Sequence, residues 1–443
     1  MPEAIEGGIK GRVKGRKGFY GWRNATLLFG IYMSALGLVF YGFSVIFPTM
    51  IETMEWNRGT ASIAHTISVL LMGASAPLVA LSIKKLGVKK TISLGLSLLL
   101  VGLLLLGTVM TQIWQWIIIW GILIGVGFAF CGVLPIQTMV MYWFNAKRAT
   151  VIGIVMTGAA AGGFLAQPFY TWLMRVADSW RFGWLNGALF VSIALVCSFF
   201  LVNKPEELGQ YPDGSSPEEV EAARNQAGGG ARTYRTEKTW EVKQVFGTPI
   251  IYFIAIVIIG HMMPLFLITS HGVLHFTDMG FSKMQAASIL SFMILGSGCA
   301  RFPSGWLGDR IEPRWILTVT LVVMLVAYLG IWKSTNLDVV MISGALFGVC
   351  YGCQIIMFAT IMGNYYGPEI YPDINGVMAP FLILFGAVIP VGAGYMYEKY
   401  DSYDAVFFIL SIMLVVALVF SLLLAPPKEV ETTGRDQPSA SAS

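Results

Sequence analysis

One ionisable side chain stands inside a hydrophobic run where nothing local accounts for it: Arg301, in the stretch SILSFMILGSGCARFPSGWLGDRIEPR at Ser288–Arg314. A charge inside hydrocarbon costs about 2.5–3.5 kcal/mol on insertion scales, so an arginine there is rarely a packing residue. The run centres near Gly296, and Arg301 lies roughly 7 Å beyond that centre at about 1.5 Å rise per residue. A long basic side chain near a helix end can snorkel to the headgroups. Here the end is already marked by Asp309-Arg310, so Arg301 reads as part of a polar pathway facing the protein interior. Its guanidinium is a planar fork of donors that can grip both oxygens of a carboxylate, which a lysine cannot do. No Asp or Glu lies mid-span, so His261 and His65 are the titratable mid-span groups. Histidine suits a proton carrier, although in a helix bundle it also serves as a plain hydrogen-bond partner.

The elements that must position these residues are membrane helices. Hydrophobic residues make up 56% of the chain and charged residues 12%, with a mean hydropathy of +0.69, against roughly 25% charged in soluble domains. Apolar segments at 25–51, 60–83, 88–110, 113–144, 149–174 and 182–202 precede a polar stretch, and six more follow at 247–275, 284–307, 314–333, 338–363, 374–397 and 404–424. The expected organisation is a basic arm (1–24), a six-helix half (25–202), a linker (203–245) with a short surface helix near Pro217–Gln226, a second half (246–425) and a polar tail (426–443). The first apolar run is too long for a signal-peptide core, so no cleaved leader is expected. Counted with both termini inside, 22 basic residues face the cytoplasm and 6 face the other side. That ratio predicts cytoplasmic N and C termini in a multi-pass cell-membrane protein (inner or plasma membrane), and it explains the basic arm without nucleic acid. Cys350 and Cys353 form a C-x-x-C with no second Cys or His pair at zinc spacing, so they read as small packing residues. No cofactor or metal is called for, and no nucleophile–base pair or nucleotide motif points to an enzyme.

The two halves resemble each other at one fixed offset. Adding 225 carries Trp56-Asn57-Arg58 onto Phe281-Ser282-Lys283, Ala61 onto Ala286, Ala80 onto Gly305, Lys85 onto Arg310, Lys89 onto Arg314 and Gly127 onto Gly352. Parallel six-helix repeats are the plan of one large transporter fold. Glycine-rich runs such as Gly158–Gly163 and Gly392–Gly394 lack the strand-to-helix setting of phosphate loops and read as close helix packing.

The motif Gly305-x-Leu307-x-Asp309-Arg310 with Arg314 resembles the loop signature of the major facilitator superfamily, G-x-x-x-D-R-x-G-R-R. The first half carries it as Ala80-x-x-x-Lys84-Lys85-x-Gly87-x-Lys89-Lys90, with Lys84 at the family's aspartate position. Such an aspartate can cap a neighbouring helix N-terminus in one gate state, so Asp309 should do so and the first half should be latched differently. Within that superfamily the chain is similar to the monocarboxylate and oxalate–formate exchanger group. The likeness rests on Arg301 with Pro303 and Gly305, Tyr142-Trp143-Phe144 leading to Lys147-Arg148, His261-Met-Met-Pro264, and Pro205-Glu206-Glu207-Leu208-Gly209 with Pro212-Asp213-Gly214.

The resemblance implies an all-α fold of twelve spans in two six-helix pseudo-repeats and a small carboxylate held by Arg301 between the halves. The group's other anchors are missing. Span eleven has no lysine, Ser297 stands where animal-type carriers have an aspartate, and span one has no lysine. One fixed positive charge suits a monoanion better than a dianion, so a monocarboxylate such as lactate or pyruvate is favoured over oxalate. The spans that line the cavity in this fold would contribute Tyr32, Phe40, Tyr41, Phe130, Gln137, His261, Tyr351 and Gln354. Proton coupling would fall to His261 or His65, to a proton brought by the substrate, or be replaced by anion exchange. The expected protein works as a monomer in the bilayer, moving a small anion by alternating access. The rival readings are an exporter of larger organic compounds and a ligand sensor that moves nothing.

Overall fold

The structure is a computed structural model that describes residues 18–216 and 233–427. The basic residues from Lys10 to Lys17, the helix expected near 217–226 and the tail from residue 428 lie outside the described residues. In lipid every backbone polar group must be satisfied within its own segment, so apolar runs of about 20 residues become helices. Those of the first half are α1 (Gly21–Thr53), α2 (Arg58–Ala74 continuing as Ala76–Leu86), α3 (Val88–Thr108), α4 (Ile113–Trp143), α5 (Arg148–Ala177) and α6 (Trp180–Ser198). The second half holds α7 (Pro249–Asp278), α8 (Lys283–Gly308), α9 (Pro313–Lys333), α10 (Leu337–Tyr365), α11 (Tyr371–Tyr400) and α12 (Asp404–Leu422). Each expected span matches one helix.

Three helices depart from simple rods. α2 bends by 50° at Ser75, where Pro77 opens the second piece and cannot donate a backbone hydrogen bond. α1 and α4 each contain a π-helical stretch, Met33–Phe40 and Ile117–Ile124. Such stretches concentrate at functional sites, and that in α1 carries Phe40 and leads into Tyr41.

The duplication reappears in which helices pack together, although the offset pair Gly127 and Gly352 meets Gly95 of α3 and Ser297 of α8. In the first half Gly125 of α4 lies against the Ser68 backbone of α2, and in the second Gly344 of α10 lies against the Ile289 carbonyl of α8. Where α1 meets α5, a Cβ on Gly162 would come within 2.7 Å of the Gly37 Cα, so the glycine-rich run of α5 is a contact face. The two halves meet along α5–α8 and along α2–α11. The α1–α7 and α4–α10 pairs show no packing of that extent.

The described parts of the polar linker are hydrogen-bonded to the helix bundle. The Asp213 carboxylate accepts from the backbone N–H of Asn145 (2.9 Å), Ala146 (2.7 Å) and Lys147 (3.3 Å), just ahead of α5. Past residue 232 the chain donates from Tyr234 N–H to Glu312 (2.8 Å) and from Thr236 N–H to the Asn364 carbonyl (2.7 Å). Hydrogen bonding of orphan backbone donors, not hydrophobic periodicity, holds it, which is why the pattern of apolar residues gave no sign of it. Asp213→Ala removes three acceptor contacts from these donors, and the expected cost is about 1–2 kcal/mol, read as a lower Tm of the purified protein.

Candidate functional site

Arg301 sits on α8 where that helix crosses α5. It is only 8% exposed, and its Nη1 donates to the Met156 carbonyl of α5 at 2.7 Å. Its Nε is buried without a hydrogen-bond partner. Among the described residues no carboxylate lies within ion-pair distance, the three ion pairs being Lys84–Asp373, Lys204–Glu369 and Lys333–Asp404. What surrounds Arg301 is phenolic. Tyr32 of α1 and Tyr351 of α10 lie within electrostatic range of the guanidinium, and Tyr41 lies within range of both hydroxyls. One tyrosine from α1 and one from α10 therefore stand near one arginine, with Tyr41 near both tyrosines. A buried, unpaired cation is a costly arrangement that a bound anion would relieve.

Beside this cluster is a cavity of about 290 Å³ between the halves, walled by α2, α4, α7, α10 and α11. Tyr351, His261 and Gln137 line it, as do Tyr371 and Asn375 of α11. Arg301 is not on its wall; Tyr351 joins the two regions. His261 is 3% exposed, its ring lies 6.0 Å from that of Tyr351 and 4.9 Å from that of Phe358, and its Nδ1 makes no hydrogen bond. The Tyr371 hydroxyl donates to Gln137 Oε1, tying the two halves together on this wall. Gln137 Nε2 has only the Met156 sulfur, at 3.9 Å.

Other expected site residues lie elsewhere. Gln354 is fully buried, with its Nε2 directed at Thr320 of α9 (3.4 Å); the cavity stripe of α10 runs through Tyr351, Ile355, Phe358 and Ala359, and Gln354 lies about 60° to one side of Tyr351. Phe130 is buried off the cavity wall. Phe40 and His65 belong to an aromatic cluster of the first half. The His65 ring stacks on Phe43 at 4.5 Å, and Phe40 lies 5.6 Å from His65 and 5.5 Å from Phe128. Sequence reading named none of Met156, Tyr371 and Asn375 as site residues.

The gate motif closes the end of the bundle that carries the linker. Asp309, just past α8, accepts from the backbone N–H of Ala149 (2.9 Å) and Thr150 (2.8 Å), the first turn of α5. Burial raises the Asp309 pKa above the ordinary carboxylate range, and those donors and the nearby Arg235 offset part of that rise. Arg235 comes from the linker, and burial lowers its pKa. Gly305 lets α8 approach within contact of the Ala149 carbonyl, and Gly153 of α5 likewise admits the Arg301 carbonyl. Arg148 of α5 reaches Asn364 of α10 (2.9 Å), a further bond between halves.

At the pseudo-equivalent seam the charges are exchanged. Lys84 ends α2 and the carboxylate, Asp373, stands in the first turn of α11, at 4.0 Å. The same 225-residue offset that relates Lys84 to Asp309 relates Arg148 to Asp373. An exposed lysine pair of this kind is worth about 0–1 kcal/mol, so the first-half latch is the weaker one. The remaining motif residues serve within their own halves. Arg310 stacks on Trp306 (3.6 Å), Arg314 donates to the Leu424 carbonyl (2.8 Å), and the Lys89 N–H donates to Asn203 (2.8 Å). Gly87 takes the positive φ of 83° that turns the chain from α2 into α3. Lys85 and Lys90 are exposed.

Two six-helix halves that latch at one end and hold a cavity between them are the plan of one large family of membrane proteins. The chain matches the Major Facilitator Superfamily over residues 27–296 and 274–442, and it belongs to that family. It is 26% identical over 296 residues to monocarboxylate transporter 13 of Rattus norvegicus, a match that spans 66% of this chain and 62% of that protein. Monocarboxylate transporter 11 of Mus musculus is 22% identical over 414 residues, covering 89% of this chain and 85% of that one. Among solved structures, the E. coli fucose:proton symporter superposes with a TM-score of 0.69 at 13% identity, over 91% of this chain and 99% of that one, and so shares the fold.

Proposed function

We propose that this protein is a secondary transporter of small organic monoanions, monocarboxylates by class, with Arg301 as the anchor of the carboxylate. The observation that carries the reading is the burial of Arg301 between the halves with one carbonyl and no acid as partner. The guanidinium keeps an unpartnered Nε donor in the vicinity of Tyr32 and Tyr351, and a carboxylate bound there would supply the missing countercharge. The linker and both termini are assigned to the cytoplasm, on the charge distribution along the loops. The present state is then closed to the cytoplasm through Asp309, Arg148 and Tyr371. His261 stands on the cavity wall next to Tyr351, which makes it the proton-coupling candidate, whereas His65 is held in an aromatic stack.

Uptake of radiolabelled monocarboxylates into proteoliposomes, with and without an inward proton gradient, tests the assignment. Gradient-stimulated uptake or uptake driven by a trans anion is expected for at least one acid. Failure of every acid with folded protein would leave the fold and remove the substrate class. His261→Gln is expected to lose the stimulation by the gradient, roughly tenfold or more in initial rate, while exchange of labelled for unlabelled acid persists. Equal loss of both modes would assign His261 to packing.

A further inference from the structure

A second cavity lies at the latched end and shares no wall residue with the one beside Tyr351. It encloses about 240 Å³, just below the range that holds drug-sized ligands, about 300–1,000 Å³. Asn145 and Arg148 of the first half line it, Gly363 and Glu369 of the second half do so too, and Lys204 and Arg235 of the linker add to the wall.

Among the described residues three cations and two acids line this recess, and they are unevenly paired. Lys204 and Glu369 hold each other at 2.9 Å. Glu206 is the other lining acid, yet no carboxylate stands within ion-pair distance of Arg148 or Arg235. The two guanidiniums lie within electrostatic range of each other, and the acids within that range are Asp213, Asp309 and Glu312. Each of those acids is engaged by backbone N–H groups, Asp213 by three, Asp309 by two and Glu312 by one. Two like charges are therefore left on one recess without a direct counterion, a costly arrangement.

Their present partners are uncharged oxygens. Arg148 is 4% exposed, and its Nη1 donates to Asn364 Oδ1 at 2.9 Å. Its Nε and Nη2 make long bonds, both 3.4 Å, to the Phe144 carbonyl and Asn145 Oδ1. Arg235 gives Nη2 to the Ala146 carbonyl at 3.2 Å, and its Nε is buried with no hydrogen-bond partner. Guanidinium forks match pairs of phosphate oxygens. A phosphate monoester brings about −1.5 to −2 charge at pH 7 and three acceptor oxygens, enough for two arginines, whereas a monocarboxylate leaves one of them unmatched.

We propose that this recess is a regulatory site for a phosphate group, free or carried on a small ester, whose binding holds the linker end shut. Arg148 belongs to the first half and Asn364 to the second, so the recess keeps this form while α5 and α10 meet there. A ligand that binds one arrangement better than the other shifts the equilibrium towards it. Phosphate on the linker side therefore slows the cycle, whichever solute the protein carries.

The test is a set of thermal melts of the purified full chain at fixed ionic strength in potassium chloride. The titrants are inorganic phosphate, glycerol phosphate, short-chain phosphatidic acid in mixed micelles, and acetate. A saturable rise in Tm is expected with phosphate and glycerol phosphate, and none with acetate. Arg235→Gln is expected to raise the half-saturating phosphate concentration about tenfold or more, and Arg235→Lys, which keeps the charge without the fork, by less. Phosphate also stabilises folded proteins by exclusion from their surface, an effect that acts alike on all three proteins. In saturating phosphate, a cysteine placed on the α5–α8 seam is expected to react several-fold more slowly from the linker side. A rise with phosphatidic acid alone supports the site and assigns its phosphate to lipid. Equal titrations of Arg235→Gln and the unmodified protein overturn the site, as does acetate matching phosphate or the absence of any saturable rise. Unchanged seam labelling in saturating phosphate overturns the gating role.

Discussion

Arg301→Met is expected to abolish anion uptake, by at least a hundredfold in kcat/KM, while leaving the thermal stability of the empty protein unchanged or raised. The two halves of that expectation have one cause. In the empty protein the guanidinium is buried with a single carbonyl bond and an unpartnered Nε, so removing its charge relieves a desolvation cost. Methionine keeps much of the side-chain volume, and buried charged groups replaced by apolar residues of similar shape are often neutral or stabilising. In the occupied protein the same group would carry a bidentate, charge-assisted contact. Removing one partner of a buried charge pair costs about 3–5 kcal/mol, a factor of roughly a hundred to a few thousand. Arg301→Lys keeps the charge and loses the fork, so an intermediate loss of about tenfold is expected. Transport assays and a thermal melt in the same detergent check both. A lower Tm with uptake retained would make Arg301 a structural residue.

The second large effect is expected at Gly305. A Cβ there falls on the Ala149 carbonyl of the opposite half, and its other near neighbours are the Ala149 and Thr150 backbone. Gly305→Val should therefore spare the packing within each half and block the approach of α8 to α5 that shuts the linker end. Flux through the full cycle is expected to fall by more than tenfold. A cysteine placed on the α5–α8 seam should become reactive to a membrane-impermeant thiol reagent from the linker side. Asp309→Ala acts on the same seam but removes only the acceptor for two backbone N–H groups, worth about 1–2 kcal/mol, so a smaller, several-fold effect is expected. Unchanged reactivity of the seam cysteine in Gly305→Val, with flux lost, would place the defect elsewhere. Because both changes act on one contact, the double variant should lose less than the product of the two single losses.

The sequence by itself determined the twelve helices, the duplication and the exceptional status of Arg301. Lipid leaves an apolar run no alternative to helix, and it makes a charge in such a run too costly to stand there without cause. Asp309 was legible as a cap because a helix N-terminus attracts a carboxylate wherever the loop brings one near. Even the exchanged latch, Lys84 with Asp373, is written in the same offset that links Trp56 to Phe281. The tertiary structure decided what depends on rotation about each helix and on docking between halves. It turned Gln354 towards Thr320 and Tyr351 towards His261, although both stand on one helix three residues apart. It brought Tyr371 onto Gln137 across 234 residues of chain, and it seated Asp213 and Arg235 of a seemingly featureless linker at the mouth of α5. Local periodicity reports how a segment meets lipid or protein. It carries no information about which distant polar group will meet which, because those pairs form only when helices, and then halves, pack against one another.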